Sequence, residues 1–300
     1  MWVLAAFASA ILLGFYDVAK KRSLSGNAVI PVLFLNTLFS TLIFLPMILD
    51  AELSLGWFRA AGVALESGGI KEHMLVAVKA SITLSSWLCG YYAMKHLPLT
   101  IVGPVNATRP VVVLVGAMLL FGEHLNLWQW GGVLLTIVSL YLLSHAGRKE
   151  SIDFTHNRYV WLMFAAMLLG AVSGLYDKYI IAYHSLSPLF VQSWFNVYQL
   201  LMMSVVLVVV WLPKCRSERL RWVWSIPLIS LFVSAGDLFY YHALDSESAM
   251  IAVVSMIRRS SVIVSFSCGA LLFGEKNLRT KAIDLALILV GMVLLAIGSR

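Results

Sequence analysis

Leu119-Leu120-Phe121-Gly122-Glu123 and Leu271-Leu272-Phe273-Gly274-Glu275 are the same five residues, 152 positions apart in a chain of 300. Each copy closes a long apolar run. A second pair of stretches supports the first: Gly14-Phe15-Tyr16-Asp17 returns as Gly174-Leu175-Tyr176-Asp177, 160 positions later. Ala10 and Asn36 match Gly170 and Asn196 at that same offset. Anchors at two nearly equal offsets read as one unit of about 150 residues used twice.

Composition sets the class. Hydrophobic residues make up 60% of the chain and charged ones 12%, and the mean hydropathy is +0.87. Soluble domains carry about 25% charged residues, so this chain lacks the side chains needed to cover a water-facing surface. It reads as an all-α polytopic membrane protein. Met1-Trp2-Val3 has no basic region and Lys20-Lys21-Arg22 follows the first apolar run, so no cleavable signal is expected. Cys89, Cys215 and Cys268 have neither metal nor disulfide spacing and read as packing residues. The net charge of +7 sits at the ends of apolar runs, where membrane topology rather than nucleic acid accounts for it.

A helix crosses the hydrocarbon core with about 20 apolar residues. On that ruler, spans fall near 2–20, 28–49, 73–95, 99–121 and 127–145, then near 158–182, 187–212, 222–244, 248–273 and 280–298. The first repeat is therefore 1–145, a polar linker 146–157 follows, and the second repeat is 158–300. The long connection 50–72 contains Trp57 and Phe58 and fits a short helix in the membrane interface.

Five spans per unit make the second unit enter the membrane from the opposite side, so the units are expected to be inverted repeats about an axis in the membrane plane. Charges test this independently. The turn with Lys20, Lys21 and Arg22 has a counterpart at Tyr183-His184-Ser185 with no Lys or Arg. His124, Asn126 and Gln129 after the first Phe-Gly-Glu face Lys276, Arg279 and Lys281 after the second. Lys214, Arg216, Arg219 and Arg221 are matched by an acid-rich segment with Asp50, Glu52, Glu66 and Glu72, and Lys95 by Asp245 and Glu247. With Arg148, Lys149 and Arg158 around the linker, fourteen Lys and Arg gather on one side against three on the other. The positive-inside rule then places both termini outside the cytoplasm.

An apolar helix ending in Leu-Phe-Gly-Glu in each half, within a ten-span inverted pattern, resembles the EamA family of the drug/metabolite transporter superfamily. The resemblance covers essentially the whole chain and implies a transporter. In that family a Pro commonly precedes the motif Gly by twelve positions, and Pro110 with Gly122 fits. Val262 stands at the second position, a departure that leaves the second helix without its expected break. Family members are usually drawn with both termini in the cytoplasm, opposite to the charge distribution here.

Ionisable side chains inside a membrane face a cavity or a partner. Lys79, Arg109, Lys178, Arg258 and Arg259 fall within the spans. The repeat alignment brings Arg109, Arg258 and Arg259 to similar depth in two symmetry-mate helices, where inverted-repeat carriers bind substrate. Guanidinium forks suit carboxylate or phosphate, so one reading is a small organic anion as substrate. The other is internal pairing with Asp17, Asp177, Asp237 or Asp284. Asp237, Asp17 and Asp177 are candidates for a coupling ion, Asp237 foremost because it is deeper in its span. Asp17 could instead pair locally with Lys20 or Lys21. Trp87, Tyr91-Tyr92 and Tyr240-Tyr241 are candidate pocket walls or packing residues, and Asn36 and Asn196 complete the candidate substrate-binding set. Ala10 with Gly14, and Gly170 with Gly174, are small-residue faces for close helix packing. No metal site and no cofactor are expected.

The sequence therefore reads as a secondary transporter in the cell membrane, working by alternating access and coupled to protons or to exchange, with no phosphate loop for ATP. Its partners are a small-molecule substrate and the lipid bilayer, without nucleic acid, as monomer or homodimer. A flippase for a phosphate-bearing lipid or carrier lipid is the alternative. A non-transporting membrane sensor or scaffold is the alternative from another class, and a membrane enzyme would need clustered His, Asp or Ser at one face, a cluster the sequence lacks.

Overall fold

The computed structural model describes residues 2–60, 65, 68–109, 111–113, 115–116, 126–148, 155–180, 184, 186–214, 220–244, 257–274 and 278–298, all helix and turn. Pro110, the first Leu-Leu-Phe-Gly-Glu copy, Cys215, Glu275, linker residues 149–154 and the start of the ninth expected span (248–256) lie outside these residues. So do the side chains of Lys178 and Tyr241.

The helices are α1 (Trp2–Leu24), α2 (Val29–Glu52), the short α3 (Trp57–Ala60), α4 (Ile70–His96), α5 (Leu99–Ala107), α6 (Leu127–Arg148), α7 (Arg158–Lys178), α8 (Pro188–Val206), α9 (Ser225–Leu244), α10 (Ser261–Leu272) and α11 (Leu278–Gly298). Five segments are long and apolar enough to cross a membrane: Val3–Leu24, Val29–Glu52, Ile70–His96, Arg158–Asp177 and Pro188–Trp211. In lipid every backbone polar group must be satisfied within the segment, and helices do this.

Helix ends follow local chemistry. Asn126 Oδ1 accepts from the Gln129 N–H while Gln129 Oε1 accepts from the Asn126 N–H, both at 3.0 Å, a reciprocal capping box that starts α6. The Asn157 side chain accepts from the Tyr159 N–H at 2.9 Å and starts α7. Pro188 takes the first helical position of α8, where its missing N–H costs nothing. Pro98 ends α4 by holding Leu97 extended (φ −103°, ψ 149°). The buried Asp50 receives the Trp57 and Phe58 N–H groups at 2.7 and 3.2 Å, so a carboxylate in α2 anchors α3.

Surfaces are inverted relative to a soluble bundle. Leu4, Phe7, Ile11, Leu42, Leu201 and Val209 face outward, while Ser9, Asn36, Ser40, Asn196 and Gln199 are buried. Four extensive contacts join the halves: α1 with α9, α4 with α7, α6 with α11, and α2 with α8. Next come α1 with α10, α4 with α8, α2 with α9, and α5 with α10. Asn126 Nδ2 donates to Gly298 O (2.5 Å) and Ser139 Oγ to Asp284 O (2.7 Å), so α6 and α11 run antiparallel.

Two expectations are corrected here. The basic cluster expected in the first turn lies inside α1, which extends to Leu24. Lys21 Nζ there donates to Met94 O (2.7 Å) and Leu97 O (2.5 Å), capping the end of α4. Lys281, expected in a turn, is fully buried in α11 with Nζ 2.8 Å from Thr100 Oγ1. In both cases a polar partner from a distant helix draws the lysine in.

Candidate functional site

The second half contains the break that its sequence lacks a proline to explain. Ile257, Arg258 and Arg259 are helical, Ser260 is a turn, and α10 restarts at Ser261. Ser260 Oγ and its N–H both donate to Ile257 O, at 2.6 and 3.0 Å. In the first half α5 stops before Thr108, whose Oγ1 and N–H donate to Val105 O at 2.7 and 3.2 Å. Hydroxyl-to-backbone bonds of this kind compete with the helical ladder. The expectation that Val262 leaves an unbroken helix is therefore overturned: a hydroxyl two residues earlier does the work of the ring.

The candidate arginines adjoin these breaks. Arg258 pairs with Asp237 Oδ1 of α9 and lies 4.3 Å above the Tyr240 ring. Gln192 of α8 donates to the other Asp237 oxygen at 3.2 Å. Arg109, Arg258 and Arg259 lie within electrostatic range of one another, and Arg109 and Arg259 within range of Asp17. Arg109 presses against α7 so closely that a Cβ on Gly170 would overlap its guanidinium. Gly14 plays a related part on α1, where a Cβ would overlap Val264 and approach Ser261 O at 3.0 Å. The absence of a side chain at Gly14 lets α1 meet the restart of α10.

Asp17 is taken up by Lys20, at 3.5 Å within α1. Lys20 also donates to Tyr16 OH at 3.4 Å and stands 4.6 and 4.9 Å above the Tyr16 and Tyr91 rings. Asp177 pairs with Lys79 of α4 at 2.7 Å. All three coupling-ion candidates thus hold a basic partner. The internal-pair reading applies to Arg258. Neither Arg109 nor Arg259 has a carboxylate in ion-pair distance among the described residues.

The other expected residues separate. Trp87 packs edge-on against Phe195 (6.2 Å), beside Lys79, which lies 5.0 Å above the same ring. Asn36 and Asn196 sit in a polar seam: Ser230 donates to Asn36 O and Oδ1 (2.9 and 3.0 Å), and Thr41 donates to Asn196 O (3.0 Å). The local pairing of Asp17 with Lys20, one of the two readings the sequence offered, is observed; sequence reading missed Gln192, Tyr16, Thr108 and Ser260. Only the last two carried a usable signal, since they stand at the 152-residue offset of the repeated pentapeptide.

Around the breaks, among the described residues, Arg109, Arg258, Arg259 and Lys20 face Asp17 and Asp237, four positive charges against two negative.

The model of the EamA-like transporter family matches residues 1–145 and 157–297. An uncharacterized transporter of Archaeoglobus fulgidus is 24% identical over 148 residues, 49% of this chain and 49% of the relative. An uncharacterized transporter of Pseudomonas aeruginosa is 32% identical over 121 residues, 39% of this chain and 37% of the relative. The chain's match thus spans half or less of each of these relatives. A solved crystal structure superposes with a TM-score of 0.64 at 15% identity, over 100% of this chain and 98% of that one, a likeness of fold alone. The apolar helices and the family match make this a multi-pass membrane protein. The chain belongs to the EamA-like transporter family, within the drug/metabolite transporter superfamily.

Proposed function

We propose that the protein is a secondary transporter of the cell membrane in which two inverted five-helix repeats, ten spans in all, carry a small organic anion by alternating access. The surplus of two positive charges among the described residues around Arg109, Arg258 and Arg259 is the observation that carries this reading. Arg109 and Arg259 bind the carboxylate or phosphate, Arg258 is held ready by Asp237, and Tyr240 lines the site.

The helix contacts support the repeat. Exchanging each helix for its counterpart five spans on turns α1–α9 into α7–α4 and α4–α8 into α9–α2, while α2–α8 and α6–α11 map onto themselves. The family match in two segments and the paired breaks at Thr108 and Ser260 point the same way. Broken helices at a central site are the usual device of such carriers.

The test is counterflow in proteoliposomes with a panel of monocarboxylates, dicarboxylates and phosphate esters, comparing the parent with Arg109→Gln and Arg259→Gln. A charge-assisted hydrogen bond is worth about 1.5–3 kcal/mol, so each variant raises KM about ten- to a hundredfold. Two folded variants that move the anion like the parent would overturn the reading.

A further inference from the structure

Asp284 of α11 is fully buried, and neither carboxylate oxygen has a hydrogen-bond partner among the described residues. The other spanning-helix carboxylates considered above are engaged: Asp17 by Lys20, Asp177 by Lys79, Asp237 by Arg258 and Gln192. An ionised carboxylate without a partner is very costly in apolar surroundings, and a neutral acid far less so. The position is nonetheless fixed, because Ser139 of α6 donates to the Asp284 backbone oxygen at 2.7 Å. Leu285, the next residue, and Ile288, one turn on, join an apolar cluster with Ala107, Val262 and Phe266, next to both helix breaks.

Few ionisable groups surround it among the described residues. α5 contributes none. α10 contributes Cys268, and α6 contributes the outward Tyr141, with His145 and Arg148 farther along the helix. On α11 itself stand Arg279 and Lys281, whose Nζ reaches Thr100 on α5 rather than Asp284. α5 and α11 pack together, and α5 leads into Arg109.

We propose that Asp284 is the proton-carrying group of the transport cycle, holding its proton as a neutral acid in the conformation described here and releasing it when α5 and α11 part. This rests on the transport reading above, and it separates the proton site from the arginine site.

The experiment uses the full chain, parent and Asp284→Asn, in two measurements. Infrared difference spectra of the reconstituted protein across a pH titration should show a protonated-carboxyl C=O stretch at neutral pH that the variant lacks. In proteoliposomes, accumulation driven by a pH gradient should fall to the equilibrium ratio of one in the variant, while Asp284→Glu retains it. No such band in the parent, or undiminished gradient-driven accumulation in Asp284→Asn, overturns the proposal. Accumulation driven by sodium and indifferent to pH does the same, by giving the carboxylate to a metal cation. If the parent moves no anion in the panel, the transport reading fails by itself, and the infrared band alone decides whether Asp284 holds a proton.

Discussion

Thr108 and Ser260, 152 positions apart, turn their hydroxyls onto the carbonyl three residues earlier, at 2.7 and 2.6 Å. Each ends a helical stretch beside an arginine of the candidate site. Thr108→Val and Ser260→Ala each remove one such bond, worth about 0.5–1.5 kcal/mol. Each single variant should show a small fall in the thermal midpoint of the purified protein. Paired variants should show a near-additive fall if the two breaks act independently.

Arg258 and Asp237 form a partly buried pair, and truncating one partner strands the other. Arg258→Gln should destabilise the protein by about 1–3 kcal/mol, seen as a lower thermal midpoint and lower yield. Asp237→Asn added to it should restore much of the loss. Folding restored without transport would separate the role of Arg258 in the fold from its role beside the substrate.

Gly170 and Gly14 give a contrast at equal substitution. A methyl at Gly170 meets the far end of the Arg109 side chain, which can move. Gly170→Ala should leave the midpoint nearly unchanged and raise KM for the anion. A methyl at Gly14 meets the Val264 stem and the backbone oxygen of Ser261. Gly14→Ala should destabilise by about 1–3 kcal/mol, the usual cost of overpacking, with thermal unfolding as the measure.

Much of the architecture was legible as hydropathy. The spans expected near 2–20, 28–49, 73–95, 158–182 and 187–212 coincide with helices long enough to cross a membrane. The site was legible only in part. Arg109, Arg258 and Arg259 stood out because charge is rare in apolar runs, and the repeat offset brought them to one depth. The Asp237–Arg258 pair joins residues 21 positions apart on different helices, and sequence could only name it among alternatives. Ser260 carries no local signal distinguishing a turn from a helical serine. Spacing offered Lys20 the neighbouring Asp17, but the burial of Lys20 and Lys281 was not legible, because the Tyr91 ring and the Thr100 hydroxyl beside them are remote in sequence.

Those two lysines bear on orientation, since a buried amine is a weaker topology signal than one in a turn. Without them the bias is still twelve basic residues against three. Cysteine placed at residue 300 should therefore react with an impermeant maleimide added to intact cells. Protection until the membrane is opened would put the termini in the cytoplasm, as relatives are usually drawn.

Lys21 serves two masters. It belongs to the charge pattern that tells the insertion machinery which way the first segment should face, and its ammonium also staples the end of α4 to α1. Editing that residue to flip the molecule would loosen the joint between these helices as well, so a reversed protein made in this way would inherit a slack corner.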